Sequence, residues 1–169
     1  PDKGDGSLTG YNVWKWIDYD NYNYPYAGAG SPDFSTNWII LRYAEIYLND
    51  AEARLETGDV EGARKAVNMI RQRVGLPDLT ESDPEKLREL IRKERRIEFA
   101  FEEQRFYDVR RWKIGPETQT TLHGVRFVSP TEFKVTKTDI RTWNDRLCLT
   151  PVPHDEIVRS SVLKQNPGY

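Results

Sequence analysis

The 169-residue sequence holds one cysteine, one methionine and two histidines. A single cysteine, Cys148, excludes an internal disulfide and any metal site built from several thiolates. Its setting in RLCLTPVP is a short apolar run and reads as that of a buried small hydrophobe. His123 and His154 lie in unrelated stretches, each without a spaced partner ligand, so neither forms a metal motif. A phosphate-binding glycine loop, a nucleophile elbow and a Cys/His pairing are all missing. No apolar run approaches the roughly 18 residues of a membrane span, and no signal peptide is visible. Neither sign of charge dominates, since 25 basic and 27 acidic residues leave a net charge of −2. That removes the basic bias expected of a nucleic-acid binder. No catalytic residue, metal or cofactor is therefore assigned. The chain starts at Pro1 without a methionine, which reads as a piece of something longer.

Hydrophobic content is 37%, and the mean hydropathy of −0.76 is low for a compact domain. An aromatic share of 12% offsets this, because each Trp or Tyr buries a large area. The reading is one folded, polar-surfaced and loop-rich domain or sub-domain over 1–169. Within it, 1–37 is an irregular aromatic-rich segment, 38–115 a helical core and 116–169 a loop-rich tail. Turn formers dominate 1–37, with one short strand expected near Val13–Ile17.

Periodicity predicts a first helix from about Trp38 to Glu56, with Leu41, Ala44, Leu48, Ala51 and Leu55 inward. Gly58 ends it and Asp59 caps the next helix. That second helix runs to about Val74, with Val60, Ala63, Val67, Ile70 and Val74 inward. The two form an antiparallel hairpin. Ala51 and Ala63, twelve apart around Gly58, resemble the small-residue spacing of a tetratricopeptide repeat. Only one such unit is evident, whereas an independent solenoid needs about three. Ser82-Asp83-Pro84-Glu85 supplies the cap, first-position proline and capping-box Glu of a third helix. This helix is expected to continue, bent, to about Trp112. Beyond it, HGVRFV, EFKVT and RLCLT read as a small hairpin or a few short strands. One short helix is expected near His154–Arg159. The fold class is thus mainly α: a tetratricopeptide-like hairpin plus a long third helix, with irregular loops and a minor β-hairpin.

The third helix carries charges where an amphipathic helix places none. Glu94, Glu98, Glu102 and Arg105 share a stripe with Leu87, Leu90, Ile91, Phe101 and Val109. Buried charges are costly unless paired. Three carboxylates four residues apart raise the thought of a glycosidase, but they point the same way rather than across a bond. Dense arginines nearby would also lower their pKa values, the opposite of what a general acid needs. The preferred reading is an ion-pair lattice with Arg42, Glu45 and Glu52, or with Arg71 and Arg73. Truncating Glu98 to alanine is then expected to strand a buried arginine, at about 3–5 kcal/mol.

Tyr11, Trp14, Trp16, Tyr19, Tyr22, Tyr24, Tyr26, Phe34 and Trp38 interleave with Asp and Asn. Flat rings beside polar acceptors suit a sugar, whose C–H face stacks while its hydroxyls hydrogen-bond. Trp14, Trp16 and Trp38 read as plugs that pack the segment onto the helices, and Trp112 and Trp143 as packing residues. Tyr22, Tyr24 and Tyr26, in a turn-rich stretch, are the candidate ligand-binding residues.

The blocks TGYNVWKWID (9–18), LRYAEIYLNDAEA (41–53), AVNMIRQRVGLP (66–77) and KERRIEFAFEEQRFYDVRRW (93–112) run in order along the chain. LTPVPHDEI (149–157) and QNPGY (165–169) complete the set. Together they resemble the C-terminal part of the SusD/RagB family of outer-membrane nutrient-binding lipoproteins. The resemblance implies a mostly α-helical protein with tetratricopeptide-like units packed against a more irregular, ligand-carrying region. It implies attachment to the cell outer membrane through a lipidated N-terminal cysteine, which Cys148 does not match. It also implies partnership with a TonB-dependent, SusC-like transporter, to which glycan or another nutrient is presented without catalysis. A helical-repeat scaffold that docks protein, with no ligand site of its own, is the alternative.

Overall fold

The computed structural model describes residues 13, 15, 16, 37–118, 120–129 and 131–169. It divides into two compact units, Trp16–Arg105 and Phe106–Tyr169, with Val13 and Lys15 grouped in the second. The described residues are mainly helical, with one two-stranded antiparallel sheet.

The first unit is built on α1 (Tyr43–Glu56), α2 (Val60–Arg73) and α3 (Pro84–Glu98), each packed against the other two. Leu48, Ala51 and Leu55 of α1 meet Ala63, Ala66, Val67 and Ile70 of α2 and Leu87 and Ile91 of α3 in one core. Ala51 and Ala63 are both fully buried, so the small-residue spacing marks where the two backbones approach. Between them Gly58 adopts φ 89°, open to glycine at no steric penalty. Asp59 accepts the Gly62 N–H at 2.8 Å, and Asp83 accepts from Glu85 and Lys86 at 2.9 and 3.1 Å, with Pro84 in the first turn. Asn68 is buried because its side chain closes two bonds on Leu79, accepting its N–H at 2.8 Å and donating to its carbonyl at 3.2 Å. This staple holds the 74–83 connection to α2.

Several sequence expectations are corrected. α1 begins at Tyr43, not Trp38, and Leu41 is exposed rather than inward. Arg42 is extended at the helix start and makes no capping bond; its guanidinium reaches instead to Glu98 and Glu102. Val74 lies past the last turn of α2 and is exposed. The third helix is not one bent rod. α3 stops at Glu98, and α4 (Gln104–Arg111) follows after a turn in which Phe101 and Glu103 take φ of 63° and 64°. Arg42 donates to the Glu98 carbonyl at 2.7 Å, while Glu102 N–H is left to bond Phe99 at 3.1 Å. A continuous ladder would have paired Glu102 N–H with Glu98. The break buries Phe99, which sequence periodicity passed over, and exposes Phe101, which it placed inward.

In the second unit, α4 runs into α5 (Gly115–Thr118) and then the hairpin β1 (Thr121–Ser129) and β2 (Glu132–Ile140). Val125 pairs with Val135 and Phe127 with Phe133, the two rings meeting edge to face at 6.4 Å. RLCLT is not a strand: Asp145–Cys148 form a 3-10 turn whose Asn144 cap accepts the Arg146 N–H at 3.1 Å. Cys148 there is half-buried, not fully covered. α6 (His154–Arg159) lies where it was expected. Of the Val13–Ile17 strand, Lys15 and Trp16 sit in a turn and Val13 in no regular element; Trp14 and Ile17 lie outside the described residues.

The closing QNPGY is tied back onto LTPVP. Gln165 accepts the Val152 N–H at 2.8 Å and donates to its carbonyl at 2.9 Å, as a neighbouring strand would. Asn166 donates to the Thr150 carbonyl at 2.6 Å and the Tyr169 hydroxyl to that of Leu149 at 3.1 Å.

The surface carboxylates Glu56, Asp59 and Glu81 all have lowered pKa values. The causes are hydrogen bonds from Arg88, from the Gly62 N–H and Arg54, and from the Asp83 and Ser82 N–H groups, respectively. A carboxyl depressed in the fold adds stability that is complete above its unfolded pKa and disappears as pH falls through the folded one. Melting temperature is therefore expected to hold steady from pH 7 to about 5 and then fall below about pH 4.5. A melt unchanged down to pH 3 would contradict this.

Candidate functional site

The charged stripe is a lattice of ion pairs. Arg42 donates through Nε and Nη2 to the two oxygens of Glu102, at 2.8 and 3.0 Å, and through Nη1 to Glu98. Arg73 donates to Glu98 at 2.8 Å and Arg71 to Glu94 at 2.7 Å. Arg95, buried, donates to Asn49 at 2.8 Å and lies 3.9 Å from Glu45. Both Arg42 and Arg95 sit over the Phe99 ring, at 4.5 and 5.2 Å. Burial alone pulls the Arg42 guanidinium down, but its bonds to Glu102 and Glu98 outweigh that and hold it above its ordinary pKa. Arg42, Glu45, Arg71 and Arg73 are partners the sequence named. The buried position of Arg95 was not foreseen, since it lies beside the apolar stripe rather than on it. Every carboxylate of the row Glu94, Glu98 and Glu102 accepts from an arginine, so the row joins helices and presents no carboxylate pair across a cleft.

Next to this lattice lies an aromatic step. Trp16 donates its indole N–H to the Phe101 carbonyl at 3.1 Å, a group freed by the break between α3 and α4. Trp38 stacks on Trp16 with ring centroids 4.9 Å apart and planes 20° from parallel. Trp16 is half-buried, whereas 55% of Trp38 stays exposed. Trp38 thus keeps much of its surface open, contrary to its reading as a packing plug. The apolar spacing continues through Leu41 and carries no signal of this exposure. The candidate residues Tyr22, Tyr24 and Tyr26, like Trp14, lie outside the described residues.

The second unit holds a cleft of about 760 Å³, lined by Lys113, Pro116, Asn144, Asp145, Arg146, Cys148, Leu149, Pro167 and Gly168. Its walls are fixed by local bonds. Trp143 donates its indole N–H to Asp145 at 3.2 Å and its ring lies against Gly115. Arg146 donates to the Gly168 carbonyl at 3.5 Å, with its guanidinium 5.2 Å from the Tyr169 ring centre. Trp143 is half-buried here, as is Trp112, which lies under the Arg111 guanidinium. His123 and His154 are exposed.

The chain matches the SusD family profile over residues 2–169. It is 37% identical over 154 residues to SusD-like protein P2 of Formosa agariphila, covering 85% of this chain and 28% of that protein. With SusD-like protein P25 of the same organism the identity is 32% over 172 residues, covering 89% and 31%. Among solved structures it is similar to a SusD-like protein from Bacteroides fragilis NCTC 9343, at 97% identity and a TM-score of 0.89. That match covers 99% of this chain and 32% of that one. The chain therefore spans about a third or less of the length of these relatives. Through a profile match over nearly its whole length, joined to a 97% identical structure of the same fold, the chain belongs to the SusD family.

Proposed function

We propose that this chain is the C-terminal helical part of a surface nutrient-binding protein, one that holds glycan without cleaving it. Family membership supports the class. The observation that carries the reading is the Trp16–Trp38 step, an open indole face anchored on a hydrogen-bonded partner. An aromatic face of this kind stacks on the C–H side of a sugar ring. In the longer protein, Tyr22, Tyr24 and Tyr26 extend the same aromatic-rich segment and supply further ring contacts. Attachment to the outer membrane through a lipid, and delivery of glycan to a TonB-dependent, SusC-like transporter, complete the proposal.

A glycan array tests it. Trp38→Ala is expected to weaken glycan binding about tenfold, the equivalent of one lost stacking contact, with the thermal melt unchanged. Replacing Tyr22, Tyr24 and Tyr26 together by alanine is expected to weaken it further. Binding unaffected by either variant would overturn this placement of the site. One observation favours the docking-scaffold alternative: Ile40, Leu41 and Tyr43 are strongly exposed in a row leading into α1. Glycan binding absent from the longest form of the protein, beside capture of a protein partner lost on Ile40→Asp, would favour that reading.

A further inference from the structure

We propose that the cleft in the second unit is a separate sugar subsite that selects an anionic unit, one bearing a ring carboxylate. This rests on the glycan-binding reading above and adds to it a second place and a charge preference. Its volume of about 760 Å³ falls in the range of small-molecule sites, roughly 300–1,000 Å³, and accommodates one or two sugar rings. Pro116, Leu149 and Pro167 give C–H surface for a ring face, and Asn144 and Asp145 give hydrogen-bonding groups for hydroxyls. The charge is unbalanced: among the described lining residues Lys113 and Arg146 face a single carboxylate, Asp145, which already accepts the Trp143 indole N–H.

Lys113 is the group that decides the preference. It has no ion-pair partner among the described residues and stands in the left-handed region with φ 56°. A lysine is strained there, and backbone bonds hold it: Lys113 N–H to Arg110 at 3.2 Å and Ile114 N–H to Val109 at 3.1 Å. The reversal that these bonds enforce brings Lys113 to the cleft just past the end of α4. Arg146 is steadied by the Gly168 carbonyl and the Tyr169 ring. A cation kept unpaired and an arginine steadied on one side leave positive charge on offer to a carboxylate.

Cys148, half-buried in the cleft wall, reports its occupancy. In the full-length protein, its alkylation by iodoacetamide is followed by peptide mass, with oligogalacturonate as the probe and maltooligosaccharide of equal length as the neutral control. The uronate is expected to slow Cys148 alkylation and the neutral sugar to leave it unchanged. Lys113→Glu, checked by its melt for folding, is expected to weaken uronate binding about tenfold, the loss of one partly screened ion pair. Equal effects of the two sugars, or uronate binding untouched by Lys113→Glu, would overturn the subsite. So would a Cys148 inert before any sugar is added, because the cleft would then be filled by the rest of the longer chain. Neutral glycan binding lost on Trp38→Ala, beside no uronate effect at Cys148, would sink this inference and leave the general reading standing. Failure of every glycan on the array would sink both.

Discussion

Replacing Arg42 with alanine is expected to destabilise the helical unit by about 3–5 kcal/mol, the range for breaking a buried charge pair from one side. Arg42 meets both oxygens of Glu102, one of Glu98 and the Glu98 carbonyl, and covers the Phe99 ring. The Glu102 side chain is only 5% exposed. Without the guanidinium, that carboxylate loses a two-point partner in a place water barely reaches, and the turn between α3 and α4 loses a bond to its backbone. Arg42→Lys is expected to recover part of the stability, because a single ammonium supplies charge without the planar fork. Glu98→Ala is now expected to do less than the sequence suggested. Arg42 would keep Glu102, and Arg73, 58% exposed, would turn to water. Chemical denaturation of the three variants decides the matter. An Arg42→Ala midpoint equal to the parent's would show that the lattice only decorates a core already sufficient by itself.

The second large effect is expected at Gly115→Ala, with a loss of about 3 kcal/mol, the upper end for overpacking. A Cβ there would fall 2.0 to 2.4 Å from three atoms of the Trp143 indole. The ring is not a flexible tip that can step aside, since its N–H is bonded to Asp145. Trp143 fluorescence is expected to shift as the ring is displaced. In a Trp143→Ala background the same change is expected to cost much less, because the three indole atoms that crowd the Cβ are gone. A destabilisation equal in both backgrounds would show that backbone conformation, not the indole, requires glycine at this position.

The arrangement of charge also bears on the sequence pattern of the block from Glu94 to Trp112. Arginines and carboxylates of α3 and the turn after it match partners on α1, α2 and the segment before α1 in both sign and reach. Losing Arg42 costs Glu102, only 5% exposed, its two-point partner, whereas losing Glu98 leaves Arg42 paired with Glu102. The aromatic step depends on the same device, because the break that exposes the Phe101 carbonyl is held by Arg42. Position of the lattice thereby fixes position of the indole face.

Sequence by itself determined the helices whose ends are set locally. Asp59 and Asp83 cap with their own side chains, Gly58 turns without strain, and the apolar spacing of Leu48, Ala51, Ala63 and Val67 finds one shared core. It also pointed to arginine partners for Glu94 and Glu98, which share the apolar stripe of α3; Glu102, past the break, is placed by the turn. Tertiary structure decided where bonding over long distances competes with local preference. The helix over 84–112 breaks where Arg42, 56 residues away, takes the Glu98 carbonyl. RLCLT coils rather than extends, in a segment where Arg146 and Leu149 bond to the closing QNPGY. Trp38 stays open because α1 starts five residues later than its apolar residues suggest. Local pattern records which groups must be buried or capped; which distant carbonyl an arginine reaches is settled only when the chain is packed.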